Sequence, residues 1–72
     1  MKIYLLYERY YDDCDDLVMC DCYPYQNYED VLRRISDETN LHIEVIRTDL
    51  SIGSSIVKCG NWVYEVEETE LL

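Results

Sequence analysis

Asn27-Tyr28-Glu29-Asp30-Val31-Leu32-Arg33-Arg34-Ile35-Ser36-Asp37-Glu38 is the stretch from which the fold is read. Tyr28, Val31, Leu32 and Ile35 recur at i, i+3, i+4 and i+7, which lines one face of a helix. Asn27 is a favourable N-cap, and Asp30 stands three residues on in a capping-box-like position. Glu29 and Asp30 fall in the first turn, where the helix dipole favours negative charge. Thr39-Asn40 stops the helix. Arg33 and Arg34 are assigned to its solvent side, offsetting nearby acids.

Outward from this helix the periodicity changes to two. Residues 2–10 alternate with apolar or Tyr side chains on both faces: Ile3, Leu5 and Tyr7 on one, Tyr4, Leu6 and Tyr10 on the other. An interior strand has that pattern. Asp12-Asp13-Cys14-Asp15-Asp16 breaks it as a hairpin loop, and Leu17 to Tyr23 follows as a second strand, ended by Pro24. Beyond the helix, Leu41, Ile43 and Val45 alternate with His42 and Glu44, which predicts a third strand to about Thr48. Asp49 to Ser55 reads as a loop. Ile56–Cys59 and Trp62–Val66 flank Gly60-Asn61, a tight-hairpin signal. Residues 66–72 read as a frayed acidic tail.

The expected fold is therefore one α+β domain over residues 1–72, ordered β-β-α-β-β-β. Five antiparallel strands carry one helix on one face. The other face, with Tyr4, Leu6 and Tyr10, is expected to lie uncovered as a Tyr-rich patch of the kind that marks an interface.

Composition narrows the function. Sixteen Asp and Glu against six Lys and Arg leave a formal charge of −10 over 72 residues, yet 49% of the chain is apolar, too much for a disordered acidic tail. Charge so far from zero penalises the compact state, so a basic partner is the plainest reason to carry it. Asp12, Asp13, Asp15, Asp16 and Asp21 gather at one end of the first hairpin; Glu65, Glu67, Glu68 and Glu70 gather in and after the last strand. On a strand Glu65 and Glu67 point the same way about 6.8 Å apart, comparable with the spacing of successive phosphates. Carboxylates so placed suit an Arg- and Lys-lined groove built for nucleic acid. A solvated acidic surface that maintains solubility is the plain alternative. Direct nucleic-acid binding is disfavoured, because Lys2, Arg9, Arg33, Arg34, Arg47 and Lys58 are scattered in a field that repels phosphate.

Other chemistries find little footing. The Asp12–Asp16 run fails the EF-hand pattern whether it starts at Asp12 or at Asp13, because Cys14 or Leu17 then takes a ligand position. Cys14, Cys20, Cys22 and Cys59 lack a C-x2-C knuckle, so small buried hydrophobes are a better reading than a zinc site, and no metal or cofactor is assigned. His42 is the sole His, within a predicted strand, and Gly53 and Gly60 are the only glycines, so neither a Cys–His dyad motif nor a phosphate loop is present. The chain is read as a non-enzyme. No apolar run nears the ~20 residues of a membrane span. Met1 to Glu8 reads as a strand rather than a signal peptide, and a cytoplasmic location with reduced Cys follows as an expectation.

Met1-Lys2-Ile3-Tyr4, Tyr10-Tyr11-Asp12-Asp13 and Tyr64-Glu65-Val66-Glu67-Glu68 together resemble, in style over most of the chain, small acidic proteins of phages and mobile elements. These include anti-CRISPR and anti-restriction inhibitors, many of which imitate DNA. The resemblance implies stoichiometric inhibition of a host defence nuclease or other nucleic-acid-binding protein, such as a CRISPR effector or restriction enzyme. Asp12, Asp13, Asp15, Asp16, Asp21, Glu65, Glu67, Glu68 and Glu70 would then supply charge, and Tyr4, Tyr10 and Tyr11 contact area. The alternative is a homodimeric or accessory module that uses the Tyr-rich sheet face, with a small Cys-ligated zinc protein behind it.

Overall fold

The computed structural model describes residues 1–51 and 56–70. It is α+β, with the order β1 (Lys2–Tyr11), β2 (Leu17–Tyr25), α1 (Tyr28–Thr39), α2 (Ile43–Ser51), β3 (Ile56–Cys59) and β4 (Trp62–Glu70). The four strands form one antiparallel sheet in the order β2-β1-β4-β3.

Helix α1 forms where its periodicity places it. The Asn27 side chain accepts from the Glu29 N–H, and Asn40 closes the helix in the left-handed conformation with its N–H donating to the Ser36 carbonyl. Val31, Leu32 and Ile35 are fully buried beside Leu6, Ile46, Val57 and Tyr64. At the β3–β4 hairpin Gly60 takes φ +61° while Asn61 keeps a negative φ. That sign pattern is the one a two-residue turn uses when glycine takes its first central position.

Residues 43–51 are helical, which corrects the expected third strand and leaves four strands and two helices among the described residues. The alternation Leu41, Ile43, Val45 coexists with a helical spacing, Ile43, Ile46, Leu50, and packing selects the second. Ile46 is fully buried while Val45 stays exposed. His42 precedes α2: its carbonyl accepts from the Val45 and Ile46 N–H groups, and its Nδ1 accepts from the Glu44 N–H. Arg47 clamps α2 to α1 with two bonds to Glu29, 2.6 and 2.9 Å. Of the expected 49–55 loop, residues 49–51 belong to α2 and residues 52–55 lie outside the described residues.

The covered face of the sheet also differs from expectation. Tyr4, Leu6, Glu8 and Tyr10 point toward the helices, with Leu6 fully buried and Tyr4 packed on Tyr28 at 5.3 Å between ring centroids. Ile3, Leu5, Tyr7, Arg9 and Tyr11 occupy the open face. A second helix, unseen in the strand reading, supplies the cover that one helix alone lacks: α1 contacts β1 and β2, and α2 contacts β3.

Two boundaries move. Strand β2 continues through Pro24 to Tyr25, because it is an edge strand, where a proline nitrogen can face outward. Strand β4 continues to Glu70 instead of fraying from residue 66, because Val66 to Glu70 pair with Leu6 to Lys2. Residues 71–72 lie outside the described residues.

Candidate partner-binding surfaces

The Asp12–Asp16 loop is built around one side chain. Asp12 Oδ1 accepts from the Cys14 and Asp16 N–H groups, and its backbone exchanges bonds with Asp15 and Asp16. Asp15 takes φ +61°, a conformation that Asp tolerates better than most residues. Asp13, Asp15 and Asp16 are exposed as a result. The loop abuts the Gly60-Asn61 turn, with the Tyr11 N–H donating to the Asn61 carbonyl.

Glu68 and Glu70 lie at the opposite end of the sheet, opposite Tyr4 and Lys2. Nine strand steps at about 3.3 Å each separate Lys2 from Tyr11, so the two acidic groups stand roughly 30 Å apart. Glu65 and Glu67 share the open face between them, but neither is a bare carboxylate. Arg9 donates to Glu65 at 2.8 Å, and the Tyr7 hydroxyl donates to Glu67 at 3.0 Å. That bond to a carboxylate holds the Tyr7 hydroxyl above its ordinary pKa.

Cations sort the acids. Lys2 pairs with Glu68, Arg9 with Glu65, Arg33 with Asp30, Arg34 with Glu8 and Glu38, and Arg47 with Glu29 and Glu44. Lys58 is the one basic side chain without an ion pair among the described residues. The Asp12–Asp16 loop and Asp21 therefore form the largest group of carboxylates without a cation, and Glu67, Glu70, Asp37 and Asp49 are scattered. Asp21 is exposed on β2, on the helix-side face.

The aromatic candidates fall elsewhere than expected. Tyr4 packs on Tyr28, and Tyr10 packs on Trp62 at 5.1 Å, both half-buried on the covered side. Tyr11 lies on the open face. It lines a groove of about 420 Å³ with Arg9, Asp12, Ile56, Lys58 and Val63. The uncovered apolar surface is instead on β2 and around it: Leu17 is 53%, Val18 61% and Met19 43% exposed.

Cysteine placement also departs from expectation. Cys14, Cys20 and Cys22 are exposed rather than small buried hydrophobes, and Cys59 is half-buried. Cys20 and Cys22 share the open face on one edge strand, while Cys59 faces the helices three strands away, about 14 Å at ordinary strand spacing. Among the described residues no group of three or more His, Cys, Asp or Glu is gathered for a metal ion. Nor is any described helix long and apolar enough to cross a membrane.

One polar cluster escaped the sequence reading. Glu8 is buried (4% exposed) under α1 and accepts from Arg34 Nε at 2.7 Å. Arg34 also reaches Glu38 at 2.9 Å and lies over the Tyr23 ring, 4.2 Å from its centroid. The buried Tyr64 hydroxyl donates to Glu38 at 3.2 Å. Burial, and then the neighbouring Glu8 carboxylate, hold the Glu38 carboxyl above the usual range. Burial, and then Glu38, raise Tyr64, while the Glu8 bond raises Arg34 further. Arg34 is thus an internal counter-ion rather than a solvent-side residue, and the cluster joins β1, β2, α1 and β4. The alternation of β1 signals it, since Glu8 falls on the same face as Leu6.

No protein-family model matches the chain, and neither a curated protein nor a solved structure matches it.

Proposed function

We propose that the chain is a stoichiometric, non-catalytic inhibitor that occupies the basic surface of a nucleic-acid-binding protein, with the Asp12–Asp16 loop and Asp21 as its charged contact. The observation that carries this reading is the sorting of charge among the described residues: every Lys and Arg except Lys58 is drawn into an ion pair with another carboxylate, and the carboxylates without an ion pair concentrate beside an exposed apolar strand. Such a surface pairs long-range attraction with desolvated contact area, which speeds encounter and then holds the complex. A host defence nuclease is the target class implied by the resemblance to phage-type inhibitors.

The wild-type chain and a variant with Asp12, Asp13, Asp15 and Asp16 all changed to Asn would be used as bait in bacterial lysate at low and high salt. Captured nucleases would then be assayed for inhibition. Capture that weakens about tenfold or more from roughly 50 to 200 mM salt, and is lost in the variant, supports the reading. Capture indifferent to both changes refutes it.

A second reading, self-association, draws on the exposure of Leu17, Val18 and Met19. Sedimentation equilibrium distinguishes it, since a dimer persists without any partner.

A further inference from the structure

We propose that the outer edge of β2 receives an extended, basic segment of the partner, added to the sheet as a fifth strand. This deepens the inhibitor reading and rests on its claim that the partner is basic.

Strand β2 is nine residues long and, among the described residues, pairs on one side only, with β1. The opposite edge, β3, has four residues. Pro24 keeps its place opposite Leu5 although it has no N–H, so its nitrogen faces away from β1. Backbone groups alternate along a strand, so Cys22 and Cys20 also turn their N–H and C=O outward, while Tyr23 and Asp21 bond toward β1. Two devices blunt the ends of this edge. The register passes from Tyr10↔Met19 to Tyr11↔Leu17, leaving Val18 as the extra residue of a bulge, and Pro24 removes a donor at the far end. Between them, Met19 to Tyr23 form an open ladder of about five residues, enough for a short added strand. No Lys or Arg guards it, although basic side chains are a common protection of such edges.

Charge selects the occupant. Asp21 is the only charged residue of β2, and the strand runs directly out of the Asp12–Asp16 loop. The nearest cations are already neutralised: Arg9, opposite Cys20, is held by Glu65, and Arg34, over Tyr23, is held by Glu8 and Glu38. A second copy would bring its own acidic loop, and antiparallel pairing centred on this stretch sets Asp21 against its own counterpart, an unfavourable cross-strand pair. A segment that alternates basic and apolar residues fits instead. Its basic side chains lie beside Asp21 on the helix side, and its apolar ones beside Cys20 and Cys22 on the open face.

The test uses the full chain, labelled with ¹⁵N, and two blocked hexapeptides, Lys-Val-Lys-Val-Lys-Val and Glu-Val-Glu-Val-Glu-Val. The expected result is shifts confined to β2 and the 12–16 loop with the basic peptide alone, and slowed exchange of the Cys20 and Cys22 amides. Cys20→Pro, whose missing N–H faces outward, should keep the fold and weaken the peptide at least about tenfold, while Cys20→Ala binds normally. Should Cys20→Pro not fold, Asp21→Lys replaces it and is expected to weaken the basic peptide; unchanged binding would count against the proposal. Salt-sensitive binding at the loop with unprotected Cys20 and Cys22 amides overturns strand addition and leaves the acidic-surface reading standing. Equal protection by both peptides overturns the basic occupant and with it the charge argument. Protection that rises with protein concentration without peptide makes the occupant a second copy. No binding of either peptide overturns the proposal.

Discussion

Replacing Arg34 with Met should be among the most damaging single changes in this protein, and damaging in a pH-dependent way. Among the described residues Arg34 is the only cation on Glu8, which is 4% exposed, and it also bridges to Glu38. Removing one partner of a buried ion pair costs about 3–5 kcal/mol. The Arg34 side chain is 33% exposed, so water recovers part of that, and about 2–4 kcal/mol is the expectation near neutral pH. Loss of the contact over Tyr23 adds about 0.5–1 kcal/mol. Against the roughly 4–10 kcal/mol typical of a domain this size, such a loss is about a quarter of the stability or more. The penalty belongs to charged carboxylates, so it should shrink as pH falls and Glu38, whose carboxyl is held above the usual range, takes up its proton. Urea melts followed by circular dichroism at pH 7 and near pH 4 measure both effects. The double variant Glu8→Met with Arg34→Met should recover much of the loss, because no buried charge is then left alone. A cost under about 1 kcal/mol that is equal at both pH values would refute the claim that Arg34 compensates a buried charge.

Three further outcomes follow from the geometry. Ile46→Ala should cost about 2–4 kcal/mol and Val45→Ala under about 0.5, because only the former fills the core; the reverse order would favour the strand pattern of residues 41–48. Gly60→Ala should cost about 1–2 kcal/mol in thermal melts through its positive φ, since among the described residues no atom beyond its chain neighbours lies within 4 Å of an added Cβ, and Gly60→Asn should cost less. Glu38→Gln reports the sign of a titration. The folded chain holds the Glu38 proton more tightly than the unfolded chain, so ionisation lowers stability as pH rises from the ordinary carboxylate pKa through the raised one. The variant, fixed in the neutral form, should therefore gain on wild type as pH climbs from about 4 to 7. A constant difference between the two would contradict the raised carboxyl.

The helix 28–39 was legible because everything that makes it is local: an apolar stripe, an Asn27 cap and an Asn40 stop lie within one short window. The same holds for the two hairpins, whose turn residues sit between the runs they join. Residues 41–51 were not legible, because Leu41, Ile43 and Val45 satisfy a period of two while Ile43, Ile46 and Leu50 satisfy a helix. Only the space under α1 and beside β3 decides between them, by burying Ile46. Strand β1 is apolar on both faces, so its local pattern cannot say which face is covered. The docking of α1 against β1 and β2 answers that, and with it places Tyr4 and Tyr10 on the covered side and Cys20 and Cys22 on the open one. Charge excess was plain from composition, whereas its distribution was not. Arg34 meets Glu8 across 26 positions of chain and Arg9 meets Glu65 across 56, and such long-range pairs leave the Asp12–Asp16 loop as the uncompensated end.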